Sequence, residues 1–299
     1  MRKILYGLTF VGTVLVLGGC SGSTTETTVH RDGSFDRTVV LKTQSRGDDR
    51  TVRAKVHRIS TIFVLPAFHG QAVTDPKHPD QDPAWVVKRH YASGQLAVHD
   101  VVIKSSKGQR VVANEAKVSP LGKDRWLFTE RYHWVGRPIT DNDFMDPGVR
   151  WRVKGALGPN ADTETIDRLT VRGMRDFVEI GTGLNASFLT DHGGDTDKKL
   201  ASAIAARLKQ QASNEVERSA SQAVAEAIAL KSKEESSQKN PFLSAIDLPV
   251  TTEEIAVRVP GVIETTNGLQ SEGQVKGVFL SVALLTGDIT LSVVYHTSH

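Results

Sequence analysis

The sequence predicts an α+β fold: mostly antiparallel β-sheet from the N- and C-terminal parts, with one long central helix packed on it. Three patterns carry this reading. Residues 28–158 hold short runs in which apolar residues alternate with polar ones or stand in continuous blocks, as strands do. Residues from about 195 to 238 contain neither Gly nor Pro and place an apolar residue at every fourth position. Residues 245–299 return to short apolar runs separated by Pro-Gly, Asn-Gly and Thr-Gly-Asp. With 299 residues, 39% hydrophobic and 24% charged, the composition is globular, which excludes a disordered or collagen-like chain. The single Cys excludes a disulfide framework, a Cys-rich zinc site and a CxxC redox pair. The one long apolar run lies at the very start, which excludes a polytopic membrane protein.

That first run follows Arg2 and Lys3 and extends over residues 4–17. It falls short of the roughly 20 residues needed to span a bilayer and suits a secretory signal. Leu17-Gly18-Gly19-Cys20 then resembles the lipobox of bacterial lipoproteins. The resemblance implies a signal peptide at 1–19, diacylglyceryl transfer to the Cys20 thiol, cleavage before Cys20 and acylation of the new amine. Two or three acyl chains suffice for stable anchoring. Ser21, where Asp would favour retention at an inner membrane, implies the outer membrane if the source has two. Residues 20–27 then read as the lipidated Cys and a flexible Ser/Thr tether.

The strand-rich part follows, at 28–158. Asp32-Gly33 is a hairpin-turn dipeptide between 28–30 and 38–41. Val52, Ala54 and Val56 alternate with Arg53, Lys55 and His57, which predicts a strand, and residues 62–65 predict a buried one. Residues 75–83 are a Pro- and Asp-rich loop. Residues 96–104 and 109–113 predict a pair of strands around Lys107-Gly108. The clearest strand is 125–135, with Trp126, Phe128, Glu130, Tyr132 and Trp134 on one face. All four tryptophans fall between residues 85 and 151, which predicts a local aromatic core.

A helical part is expected at 159–244. Ile166, Leu169 and Phe177 mark a helix over 161–178 with Gly173 inside it. The long helix carries Leu200, Ile204, Leu208, Ala212, Val216, Ala220, Val224 and Ile228. A four-residue step advances about 400°, so this stripe winds by about 40° per step and forms no heptad seam. Leu200, Ile204 and Leu208 are therefore expected on the sheet. The Val216–Ile228 half is expected to be less buried and free to pair with another protein. In the C-terminal part, 245–299, Thr266-Asn267-Gly268 and Thr286-Gly287-Asp288 predict β-hairpins. Residues 28–299 read as one domain. The His30-to-Ser34 opening, residues 124–129 and residues 260–268 are similar to segments of uncharacterised bacterial lipoproteins, a resemblance that implies no activity.

Several residue groups bear on chemistry. Gly181-Thr182-Gly183-Leu184-Asn185-Ala186 has the spacing of a dinucleotide fingerprint, but no second strand follows within a βαβ span, so the glycines are assigned to turns. Asp191, Asp195 and Asp197 have calcium-loop spacing, yet Ser202 stands where a bidentate Glu is required, and helix capping accounts for Asp195 and Asp197. Of ten histidines, His30, His57, His90 and His133 lie in or beside predicted strands and read as solvated unless folding gathers them. His296 and His299 form an HxxH whose rings fall on opposite faces of a strand. Glu130, among aromatic residues, calls for an Arg partner, with Arg137, Arg150 and Arg152 as candidates. No GxSxG, SxxK or Walker A motif occurs.

Residues 28–158 hold 22 Lys/Arg against 14 Asp/Glu, so a basic part near the tether faces an acidic C-terminal part. Nucleic acid is not expected, since no cluster of five basic residues occurs. The sequence thus predicts a membrane-anchored envelope lipoprotein, exported, without enzyme activity, metal or cofactor, acting as a structural or interaction module. Its partners are the membrane, through the lipid on Cys20, and an envelope protein. The alternative is a small-ligand or lipid-binding lipoprotein.

Overall fold

The computed structural model describes residues 21–43, 51–65, 70–73, 84–186, 196–235, 247–271 and 273–297. The expected loop at 75–83 and Asp191 and Asp195 lie outside them, as does Cys20. The chain divides into two compact units, with 18–137 and 248–299 in one and 138–247 in the other. The sequence reading takes 28–299 as one domain, and each of the two units is described by itself below.

The first unit is a sandwich of two sheets. Its strands are β1 (Gly22–Val29), β2 (Phe35–Lys42), β3 (Gly70–Val73), β4 (Ala84–Tyr91), β5 (Ala97–Lys104), β6 (Arg110–Gly122), β7 (Arg125–Trp134), β8 (Thr252–Arg258), β9 (Val262–Thr266), β10 (Leu269–Ser271), β11 (Gln274–Leu280) and β12 (Ile289–His296). A seven-stranded sheet runs β10-β11-β8-β1-β2-β4-β3 and a five-stranded sheet β5-β6-β7-β12-β9. Every pairing is antiparallel except β1 with β8. Tyr132 of β7 meets Phe279 of β11 edge-on at 5.0 Å, joining the two inner faces.

The expected tether is in fact β1, in the interior of the seven-stranded sheet. Its Ser23, Thr25, Thr27 and Val29 alternate inward and are buried. A strand of hydroxyls is stable there because Thr is β-branched and because the facing interior is charged, so the hydroxyls find partners.

Two further strand expectations are corrected. Residues 52–56 belong to helix α1 (Val52–Ile62), capped by Thr51, whose side chain accepts from Ala54 N at 3.1 Å. Val52, Val56 and Ile59 also share helical spacing, and the cap decides for the helix. Beyond it Phe63 and Val64 reach the sheet, as a bridge from Phe63 to Ile103 and a bond from Val64 N to Val102 O. The expected C-terminal hairpins separate between the two sheets: β9 and β12 join one, β10 and β11 the other. Asn267 and Gly268 mark this crossing. Asn267 Oδ1 accepts from Ser292 N at 2.8 Å, in place of a neighbouring strand's backbone. A Cβ on Gly268 would stand 2.4 Å from Val275 and 2.7 Å from Leu291, so the close approach requires glycine.

The second unit is helical: α2 (Pro147–Leu157), α3 (Thr163–Thr182), α4 (Thr196–Gln211) and α5 (Glu215–Glu235), preceded by a 3₁₀ turn at Asp141–Phe144. Asp146 and Asp162 cap α2 and α3 through Val149 N and Thr165 N. The long central helix is corrected to two, α4 and α5. Asn214 Oδ1 accepts from Glu217 N at 2.9 Å, and the Glu217 carboxylate accepts from Ser213 N at 2.8 Å. These local bonds start a new helix and outcompete continuation of the old one. The helices pack on one another: a Cβ on Gly173 of α3 would fall 2.2 Å from Ile228 Cδ1, and one on Gly181 would lie 3.7 Å from Leu200. Leu200, Ile204 and Leu208 are buried, but α4 packs chiefly on α3 and α5 and not on the sheet as expected; Val224 and Ile228 are buried too, and of the apolar stripe in that half only Val216 is exposed. The half expected to be free is core, because the break folds α5 back against α3 and α4.

Candidate functional site

The sandwich interior holds a layer of charge. Arg37, at an inward position of β2 between Phe35 and Val39, is 1% exposed. It donates to both oxygens of Glu130 of β7, at 2.9 and 2.5 Å, and its Nε lies 3.0 Å from Asp100 Oδ2 of β5. Asp100 also accepts from Arg89 Nη1 at 2.9 Å and Tyr91 Oη at 2.7 Å. Thr25 Oγ1 and Asn114 Nδ2 donate to Glu130. Glu130 thus has an Arg partner, but it is Arg37 and not Arg137, Arg150 or Arg152. Beside this layer lies Glu253 of β8, fully buried, with Ser23 Oγ and Thr251 Oγ1 bonded to its carboxyl. Burial, which its hydroxyl partners only partly offset, pushes the Glu253 carboxyl up to about 7, with Glu130 and Glu254 adding to the rise.

The tryptophans do not form one core. Trp126 rests on the Gly33 turn and Trp134 donates Nε1–H to Arg137 O at 2.7 Å, both partly exposed. Phe128 and Tyr132 form the buried centre of β7. Trp151 lies on α2, in the other unit, and is 74% exposed. It borders an open groove of about 640 Å³ between α2 and α5, lined by Lys154, Gly155, Gly158, Ala223 and Ala227.

On the outer face of the seven-stranded sheet, folding gathers two of the four strand-associated histidines. His30 follows β1, and Asp36 on β2 stands opposite His90 on β4. His30 Nε2 meets Asp36 Oδ2 at 2.9 Å, and His90 Nδ1 meets Asp36 Oδ1 at 2.8 Å. Bonds from both imidazoles hold the Asp36 carboxyl below its usual range. His57 is on exposed α1 and His133 is on β7 of the other sheet, away from the pair. His296 pairs with Glu264 at 3.1 Å, and His299 lies outside the described residues. The Phe177–Ile180 segment and Gly181 belong to α3, so the GxGxxA spacing has no strand before it. Asp36 escapes sequence reasoning; its only signal is an outward position in a strand next to a histidine-bearing hairpin.

No helix among the described residues is long and apolar enough to cross a membrane. No family model, curated protein or solved structure matches the chain.

Proposed function

We propose that this chain is an exported lipoprotein, anchored through acyl groups on Cys20, that serves as a non-enzymatic interaction module of a bacterial envelope. The observation that carries the reading is the position of the sole Cys, which ends Leu17-Gly18-Gly19-Cys20 and is followed almost at once by β1. Ser21 is already fixed: its Oγ shares a hydrogen bond with Thr43 Oγ1 at 2.9 Å and its carbonyl accepts from Thr252 N at 3.1 Å. Acyl chains on Cys20 would therefore hold the rim of the sheet at the headgroups, with no slack between lipid and fold. Glu130 supports a structural role over a catalytic one, since Arg37 engages it in the sealed interior. Exposed Trp151 supplies a surface for a partner, because a large aromatic in water gains by being covered. The groove beside it falls in the size range of small-molecule sites, roughly 300–1,000 Å³, and favours small-ligand or lipid binding as the second reading.

The test is acyl labelling and fractionation of the parent chain and Cys20→Ser in a bacterial host. The parent takes up labelled fatty acid and sediments with membranes, while the variant accumulates as unlabelled precursor. Equal label in both ends the lipoprotein reading.

A further inference from the structure

We propose that His30, Asp36 and His90 form a binding site for one zinc ion on the outer face of the sandwich. Their nearest ligand atoms all lie within 4.8 Å of one another. Two imidazole nitrogens and one carboxylate are a donor set that zinc accepts in three-ligand sites, with bonds of about 2.0–2.2 Å. Tetrahedral bonds of that length hold donor atoms roughly 3.3 Å apart. Each imidazole nitrogen is already 2.8 or 2.9 Å from an Asp36 oxygen, so only the two rings must approach each other. Their centroids are 6.3 Å apart, a gap within the range of side-chain rotation.

The framework is rigid where it matters. Asp36 and His90 are direct cross-strand partners, so register fixes their separation. His30 is held at the turn by His30 N to Ser34 O at 2.8 Å and Gly33 N to His30 O at 3.1 Å, with Gly33 at φ 81°. Asp32 locks the same turn by accepting from Ser34 N and Oγ at 2.9 and 2.6 Å. Asp36 uses one oxygen for each ring and so presents both nitrogens to a common centre. Zinc takes the place of the hydrogen in those two contacts: both rings coordinate as neutral imidazoles, each carrying its one proton on the nitrogen away from the metal. The carboxylate supplies charge that two imidazoles alone lack. Calcium and magnesium are disfavoured because they require a shell of oxygens.

The site faces outward, with 41%, 55% and 61% of the His30, Asp36 and His90 side chains exposed. A fourth coordination position is therefore open to water or to a donor from another molecule. It also lies at the far end of β1 from Cys20. Eight strand residues at about 3.3 Å each place it roughly 26 Å along the strand from the rim that the anchor would hold.

The experiment is zinc titration by calorimetry on the full chain carrying Cys20→Ser, so that the one thiol contributes no ligand. One saturable equivalent is expected. His90→Gln and Asp36→Asn should each weaken it about tenfold or more, at least as much as loss of a mere outer-shell partner does. His57→Gln, at a histidine on α1, should leave it unchanged. X-ray absorption at the zinc edge of the unsubstituted site should count two imidazoles, which checks the assignment without any variant. An unchanged titration in the His30→Gln/His90→Gln double variant, or a zinc with fewer than two imidazoles, overturns the site.

Discussion

Replacing Arg37 by Met tests whether the charged layer is a structural keystone of the sandwich. The substitution keeps most of the side-chain volume and removes the only cation bonded to Glu130 among the described residues. Glu130 then retains Thr25 Oγ1 at 3.2 Å and Asn114 Nδ2 at 3.3 Å, two long bonds for a carboxylate with no exposed surface. Asp100 is less affected, since Arg89 and Tyr91 still bond to it. Breaking a buried pair from one side costs about 3–5 kcal/mol, because the remaining charge is left without compensation. Removing both charges together, as in Arg37→Met/Glu130→Leu, should cost far less than the sum of the single changes. Urea unfolding reads this directly. In a Trp151→Phe background the remaining tryptophans, Trp85, Trp126 and Trp134, all report on the sheet unit. With m of about 1–3 kcal/mol per molar urea, Arg37→Met should lower the midpoint by about 1 M or more. A loss below about 1 kcal/mol, the value of an ordinary surface pair, or strict additivity in the double variant, would refute the reasoning.

Two further outcomes follow from the interior of each unit. Glu253 binds a proton more tightly in the folded chain, with its value raised from 4.5 to about 7, so the folded state holds more protons between those limits and the sheet unit loses stability as pH rises through that window. The loss amounts to about 3 kcal/mol, and Glu253→Gln should abolish the slope in urea titrations at pH 4.5, 6 and 8; an unchanged slope assigns it elsewhere. In the helical unit, Gly173→Val should cost about 1–3 kcal/mol by overpacking against Ile228, and Ile228→Ala should recover part of that loss in thermal melts followed at 222 nm, whereas two additive losses would mean the side chains do not meet.

The strands with apolar patterning are legible: β2, β5 and β7 fall where the sequence places them, and Asp32-Gly33 and Lys107-Gly108 turn as expected. So is α3, whose interior Gly173 makes sense only once Ile228 is packed against it. The misreadings have local causes. At α1 an alternating pattern of six residues also fits a helix, and Thr51 is the deciding cap. At the α4–α5 break the signal is present as Ser213-Asn214 followed by Glu217, but it lies inside an uninterrupted apolar stripe. The pairing of Asn267 with β12 depends on which sheet each strand joins, which local pattern does not encode.

The largest misreading and the most readable trace come from the same physics. Polarity usually marks the outside, so β1 looks like a tether, although its inward hydroxyls serve a buried layer of charge. Yet that layer is written in the strands that carry it. Glu130 alternates with Phe128 and Tyr132, and Arg37 alternates with Phe35, Val39 and Leu41, so each is a single charge on an otherwise apolar strand face. A group in that position needs an opposite charge from the sheet that covers it or, as at Glu253, a raised affinity for a proton, because an uncompensated charge in the interior is too costly to persist. Two such strands of opposite sign in one chain are therefore natural partners, here across 93 residues. Nearness in sequence favours Arg137, Arg150 and Arg152, but none of these sits on an apolar strand face. His30, Asp36 and His90 leave no such trace. They are polar residues on a wet face, and only the register of β2 against β4 and the closure of the β1–β2 turn bring them together.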